Sequence, residues 1–363
     1  MNIIIGVCGL NHGHCTRQKV VIDYLLVRGH NLLLAVSNSS DAFFAEQYPQ
    51  LPRVYVHAPN ISCNRNGVDW TKTYLKNDDT DLFKSFIASC SQIQALMPNT
   101  DLIISDYEPI CAWFSYAQNI PLITIDNQSV FLGYETEDID LFTRKEESLR
   151  LSFCFPNADH RISSSFYKVA DIETNYEVDI IGATISNDVA RYKAKSKEKT
   201  TRSPQIVVYM NPLSPSDKCK GLVSVMAGRD VDIVLFSKER LSGIPANVLQ
   251  CRYDRSEFIE AIANADFVVL NAGHQLISEC ILLERPMLLF PAQKYEQQYN
   301  AMVVERNGMG VKFDIDNINE AKIVDALSRL SELRDGIKRY KADTKYEEHV
   351  NEVLQVLTEK WGV

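Results

Sequence analysis

The chain has no apolar run close to the ~20 residues a membrane-crossing helix needs, and no two of its cysteines are spaced as C-x-x-C. Its nine cysteines are scattered and odd in number. That excludes a regular disulfide framework or a zinc site of paired cysteines and fits reduced thiols. The opening MNIIIGVCGL carries neither a basic flank nor a small-residue cleavage site, so it reads as a strand rather than a secretory leader. Basic charge is also short. A formal net charge of −9 argues against non-specific nucleic-acid binding and gives little pull toward anionic lipid. These absences predict a cytoplasmic globular protein with no integral membrane segment and no nucleic-acid partner. They leave a homo-oligomer open.

What remains is 363 residues of ordinary globular composition, enough for two domains that each bury a core. Short β-branched runs alternate with helical stretches twice over. The first half offers strands at Ile3 to Val7, Leu32 to Val36, Val54 to Val56, Leu102 to Ser105 and Leu122 to Ile125. The second offers Ile206 to Met210, Asp232 to Phe236, Phe267 to Leu270 and Met287 to Phe290. Such alternation predicts α/β architecture, with two doubly wound, Rossmann-like domains of parallel sheet and a cleft between them. The polar run Lys193 to Ser203 reads as a linker or surface loop, and no internal repeat accompanies the doubled layout.

The stretch from Phe267 to Gly310, FVVLNAGHQLISECILLERPMLLFPAQKYEQQYNAMVVERNGMG, is the most informative. FVVL is a buried strand, and Gly273 sits where the chain must turn sharply into a helix whose apolar face carries Leu276, Ile277, Ile281 and Leu282. The N–H groups and the positive dipole end at Gly273, His274 and Gln275 then lie at the strand's carboxyl end, a site for phosphate. Glu279 falls on the same side as Gln275 and can accept hydrogen bonds from the vicinal hydroxyls of a ribose. After the second strand and Pro291, the amides Gln297 and Gln298 open another helix where they can bond sugar hydroxyls.

This segment resembles the donor-binding half of GT-B fold glycosyltransferases, in particular the family 28 and UDP-glycosyltransferase-like group. The matching residues are Gly273, Glu279, Pro286, Pro291, Gln297, Asn300, Ala301, Gly308 and Gly310. The chain departs from that pattern at Ala272, in place of the first glycine of a pair, and at Leu276, in place of a hydroxyl residue. The resemblance implies an N-terminal acceptor-binding domain over 1–182, a C-terminal nucleotide-sugar-binding domain over 183–345, and a last helix over 346–363 that packs back on the first domain. It favours a UDP-sugar donor over a dTDP-sugar. It also places Asn211 at the phosphates or the sugar, and Tyr253, with Arg252 and Phe258, at the base.

The amino terminus GVCGLNHGHCTRQKVVIDYLLVRGH resembles the opening of a GT-B subgroup through Gly13, His14, Arg17, Arg28, Gly29 and His30. Here a strand ends near Cys8 and a helix begins around Arg17. The resemblance makes His14 the general base that deprotonates the acceptor, with His12 in reserve, a role that suits an imidazole at neutral pH. Asp106 and Glu108 follow the strand Leu102 to Ser105 at the same sheet edge. Asp106 is therefore the candidate to orient His14, unless it caps the helix starting near Pro109. Asp126, Asn127 and Gln128 are candidate acceptor contacts.

The implied reaction is direct displacement at the anomeric carbon with inversion. The two DID stretches, Asp138 to Asp140 and Asp314 to Asp316, lack supporting ligands, so no metal and no cofactor beyond the nucleotide diphosphate sugar is expected. Dipole and backbone N–H groups at Gly273 would stabilise the leaving group instead. The acceptor, a small molecule, a glycan or a lipid-linked sugar, would meet the loops Pro49 to Thr80 and Phe131 to Glu147, where Trp70 and Tyr74 offer an aromatic platform. Two alternatives share the architecture: a nucleotide-sugar 2-epimerase and a catalytically inactive GT-B partner subunit.

Overall fold

The computed structural model describes residues 1–10, 12–57, 62–64, 67–69, 71–73, 75, 82–135, 141–171, 176–193, 203–210, 216–237, 240–292 and 294–363. The chain forms two compact units, Met1–Thr184 with His349–Val363, and Ile185–Glu348.

The first unit is built on a seven-stranded parallel sheet: β1 (Asn2–Val7), β2 (Asn31–Val36), β3 (Arg53–Tyr55), β4 (Leu102–Asp106), β5 (Leu122–Asp126), β6 (His160–Ser164) and β7 (Val178–Ile181). Their order is β7-β6-β5-β4-β1-β2-β3. Side chains alternate across the pleat. Ile3, Ile5 and Val7 join Leu25, Leu34 and Ile104 in one core layer, while Ile4 joins Leu33, Ile103, Cys111 and Phe114 in another. A parallel sheet covered on both faces has apolar strands throughout, which is why runs such as NLLLAV carry no polar alternation. Helix α1 (His12–Val27) follows β1, and α2 (Pro109–Gln118) follows β4. Strand β1 lies between β2 and β4, so the winding reverses there. The register pairs Val7 with Asp106 and sets both strand ends at one level, where such sheets bind ligands.

The second unit repeats the plan with six parallel strands: β8 (Gln205–Tyr209), β9 (Asp232–Ser237), β10 (Val248–Arg252), β11 (Phe267–Leu270), β12 (Met287–Leu289) and β13 (Gly310–Lys312). The order is β10-β9-β8-β11-β12-β13, so the winding reverses between β8 and β11, and Tyr209 pairs in register with Leu270. Helices α3 (Arg255–Asn264), α4 (His274–Leu282) and α5 (Tyr295–Arg306) follow β10, β11 and β12.

The tail is not one helix. Tyr346–Glu348 is a short 3₁₀ turn of the second unit, with Tyr346 Oη donating to Ser278 O at 2.9 Å. Helix α6 (Val353–Trp361) belongs to the first unit, where Val353 and Leu357 are buried with Leu25. Its end is tied down by Trp361 Nε1, which donates to His160 Nδ1 at 2.9 Å.

Two further differences from the sequence expectation have local causes. Helix α1 begins at His12 rather than near Arg17. Gly13 and His14 fall in its first turn, where N–H groups have no intrahelical partner and propensity counts least. Strands β6 and β7 escape the apolar pattern because HRISS buries two serines and VDII is interrupted by Asp179. The run Lys193 to Ser203, Trp70, Tyr74 and Asp138 to Asp140 lie largely or wholly outside the described residues. Among the described residues no helix is long and apolar enough to cross a membrane.

Candidate functional site

In the first unit, β1 delivers the first turn of α1 and β4 delivers Asp106 to the reversal point of the sheet. His14 Nδ1 lies 2.7 Å from Asp106 Oδ1. Arg17, one turn further along α1, forks onto the same carboxylate, with Nε at 2.9 Å from Oδ2 and Nη2 at 2.8 Å from Oδ1. Gln18 Nε2 adds a third donor at 3.0 Å. Arg17, Gln18 and Asp106 are fully buried, and His14 is nearly so. Burial alone would raise the Asp106 carboxyl, but the positive charge of Arg17 and the His14 contact outweigh it and hold the pKa at about 2.

Glu108 takes the capping role that sequence alone leaves open to Asp106. Its oxygens accept from Ile110 N at 3.0 Å and Cys111 N at 2.7 Å, closing the start of α2. Tyr107 between them is held at φ 55°, its ring stacked 6.1 Å from that of His14. Asp126 accepts from Ser129 N and Oγ, at 2.7 and 2.9 Å. Burial pushes its carboxyl up to about 6, and the neighbouring Asp106 charge adds to the rise. Asn127 Oδ1 accepts from Arg17 Nη1 at 3.2 Å, extending the network to the end of β5. His30 follows the end of α1 beside the amino terminus, 3.3 Å from Met1 N.

In the second unit, β11 is followed by Asn271, Ala272 and Gly273, the last of these the N-cap of α4. Ala272, the residue in place of a glycine, takes the left-handed conformation at φ 61° and is fully buried. Its carbonyl is held by Asn300 Nδ2 at 3.1 Å. The first intrahelical bond of α4 runs from Ile277 N to Gly273 O at 3.2 Å. The N–H groups of His274, Gln275 and Leu276 therefore precede the helical ladder at the sheet's reversal point. Gln297 and Gln298 hold the turn after β12: Gln297 Oε1 accepts from Ala292 N at 2.8 Å, and Gln298 Nε2 donates to Ala292 O at 3.0 Å. Tyr253 packs among Tyr209 and Phe258, with ring centroids 5.4 and 5.2 Å away. Asn211 lies outside the described residues.

Glu279 has a partner the sequence does not announce. Arg255, at the start of α3, places Nη2 at 2.8 Å from Oε1 and Nη1 at 3.2 Å from Oε2, while Asp188 Oδ2 holds Arg255 Nε at 3.1 Å. Gln275 Nε2 lies 3.5 Å from Glu279 Oε1. Among the described residues no three His, Cys, Asp or Glu side chains gather as a metal-binding group. Asp314 instead closes its own turn, accepting from Asp316 N at 2.9 Å.

Two Rossmann-like units, each with candidate groups at its reversal point, have the fold of the GT-B glycosyltransferases. The chain belongs to glycosyl transferase family 1, whose family model matches residues 1–331. It is similar to an uncharacterized glycosyltransferase of Methanopyrus kandleri, 30% identical over 112 residues, covering 30% of this chain and 31% of that protein. A second relative is a Bacillus cereus enzyme, UDP-N-acetylglucosamine--N-acetylmuramyl-(pentapeptide) pyrophosphoryl-undecaprenol N-acetylglucosamine transferase 2. It is 26% identical over 114 residues, covering 30% of this chain and 32% of the enzyme. The matched stretch is thus about a third of each relative's length. Among solved structures, spinosyn rhamnosyltransferase SpnG complexed with thymidine diphosphate superposes with a TM-score of 0.68 over 100% of both chains at 11% identity, a likeness of fold.

Proposed function

We propose that this chain is an inverting glycosyltransferase that moves a sugar from a nucleoside diphosphate sugar, a UDP- or dTDP-sugar, to an acceptor hydroxyl, with His14 as general base and no required metal. The observation that carries this reading is the 2.7 Å contact of His14 Nδ1 with a carboxylate kept ionised by Arg17. An ionised carboxylate only accepts, so Nδ1 bears the imidazole proton and donates it to Asp106 Oδ1, and Nε2 is the basic nitrogen.

The acceptor O–H donates to His14 Nε2. As the oxygen bonds to the anomeric carbon, its proton passes to Nε2 and the carbon–oxygen bond to the diphosphate breaks on the opposite face. The imidazolium so formed is stabilised by Asp106. Attack and departure on opposite faces invert the configuration. The charge growing on the diphosphate meets the N-terminus of α4 at Gly273, His274 and Gln275. Tyr253 offers the base an aromatic face, Glu279 lies at the pentose, and Gln297 and Gln298 lie toward the sugar.

The test is calorimetric titration of the purified protein with UDP, dTDP, GDP and ADP, with and without EDTA. Selective UDP or dTDP binding that survives EDTA supports the reading. Failure of every nucleotide to bind overturns it, and binding that EDTA abolishes overturns the metal-free form of it.

A further inference from the structure

The carboxylate placed to read the donor's pentose is already engaged on the edge a ribose would use. The guanidinium of Arg255 closes onto Glu279 as a parallel fork, at 2.8 and 3.2 Å, and the carboxylate is 2% exposed against 19% for Arg255. Asp188 anchors the far side of the guanidinium through Nε at 3.1 Å. Asp254, one residue earlier, fixes the start of α3 by accepting from Glu257 N at 2.9 Å. The arginine is thus built into the site from both sides rather than lying across it.

A vicinal diol donates two hydrogen bonds to a carboxylate along the same edge as a guanidinium fork, one to each oxygen. The two ligands compete. Putting a ribose diol on Glu279 breaks two charge-assisted bonds and replaces them with two bonds from neutral donors, which are individually weaker. A single hydroxyl asks for less: it can donate to an outward lone pair of one oxygen while the fork stays closed. A site whose carboxylate stood open to the diol would reject a pentose lacking one hydroxyl, because an acceptor would be left unmet. With Arg255 in place that acceptor is met in either case.

We propose that Arg255 competes with the donor's pentose for Glu279, so that this site accepts 2′-deoxyribonucleoside diphosphates as readily as ribonucleoside diphosphates. The proposal rests on the reading of α4 as the nucleotide site.

The test compares UDP with dUDP, which share a base and differ only in the 2′-hydroxyl, by calorimetry on the full chain. In the unmodified protein the two dissociation constants are expected to agree within about threefold. In Arg255→Gln, which releases the carboxylate edge, UDP should bind at least about tenfold tighter than dUDP. Arg255→Lys keeps the cation but cannot form the fork, and should give an intermediate ratio if the glutamine variant fails to fold. A preference for UDP of tenfold or more in the unmodified protein overturns the proposal, as does a ratio that neither substitution changes. If neither nucleotide binds the unmodified protein, the nucleotide reading of α4 itself has failed, a result distinct from any ratio.

Discussion

His14 and Asp106 stand 92 residues apart in sequence, yet His14 Nδ1 and Asp106 Oδ1 are 2.7 Å apart in the fold. The pairing of β1 with β4 makes this so, because Val7 and Asp106 share a register and both chains leave the sheet at that level. Arg17 completes the arrangement from the same helix as His14. Three residues along a helix return to one face, so the helix that carries His14 also brings the cation that keeps Asp106 charged.

The first prediction concerns acid stability. Asp106 titrates in the folded chain at about 2 against 3.8 ordinarily. Below 3.8 the unfolded chain binds the proton first, so this group's stabilisation is present above pH 4 and lost as the pH falls toward 2. It amounts to about 2 kcal/mol. Asp106→Asn should abolish that acid limb and, by removing the carboxylate charge opposite the buried Arg17, destabilise the protein by about 3–5 kcal/mol at neutral pH. Urea unfolding of both proteins between pH 2 and 7 measures both effects.

Asp126 has the opposite sign. Its folded value of about 6 lies above 3.8, so the native state holds the proton longer, and stability is lost as the pH rises between those values, by about 3 kcal/mol in all. Asp126→Asn keeps an oxygen for Ser129 N and has no charge to bury. Its unfolding free energy should be flat across that window and should exceed that of the unmodified protein above pH 6, as read from the same denaturation series.

Two backbone positions in the second unit should respond in opposite directions. Ala272 sits at φ 61°, a conformation that costs a residue with a Cβ about 1–2 kcal/mol. Ala272→Gly should therefore be neutral or stabilising, by up to about 1 kcal/mol after the added freedom of the unfolded chain. At Gly310 a Cβ would stand 2.4 Å from the Met287 carbonyl oxygen, so Gly310→Ala should destabilise by more than about 2 kcal/mol. Thermal midpoints of the two variants decide the matter. Nucleotide affinity should track neither change where the fold is retained.

The C-terminal helix is latched by a histidine of defined tautomer. Trp361 Nε1 only donates, so His160 Nδ1 accepts at 2.9 Å and His160 Nε2 donates to Asp179 at 2.8 Å. Trp361→Phe keeps the ring over His160 and removes the bond. A loss of about 1–2 kcal/mol is expected, with faster amide exchange confined to α6.

Much of this was legible in the sequence, for a physical reason. Parallel strands covered on both faces must be apolar throughout, so runs such as NLLLAV and FVVL announce themselves, and the turns after them are where ligand groups collect. The cap was not decidable from sequence. Asp106 and Glu108 are both acidic, and only the positive φ of Tyr107 between them sends one carboxylate into α2 and the other toward His14. Arg17 was visible as a motif residue, but its fork on Asp106 depends on the pairing of β1 with β4. The hold of Arg255 on Glu279 left no local signal, since the two residues come from helices following different strands. Strands β6 and β7 lack that signal because the buried serines of one and the half-buried Asp179 of the other mimic surface.

The central claim is that His14 removes the acceptor proton while the second unit binds the nucleotide. The most direct test is the rate at which nucleoside diphosphate is released from UDP- and dTDP-sugars by the unmodified protein, His14→Ala and His12→Ala, with nucleotide affinity measured on the same preparations. The account predicts that His14→Ala keeps its nucleotide affinity within about twofold and loses turnover by about 10²–10⁴, while His12→Ala stays active. Undiminished turnover in His14→Ala, or a loss confined to His12→Ala, would contradict it.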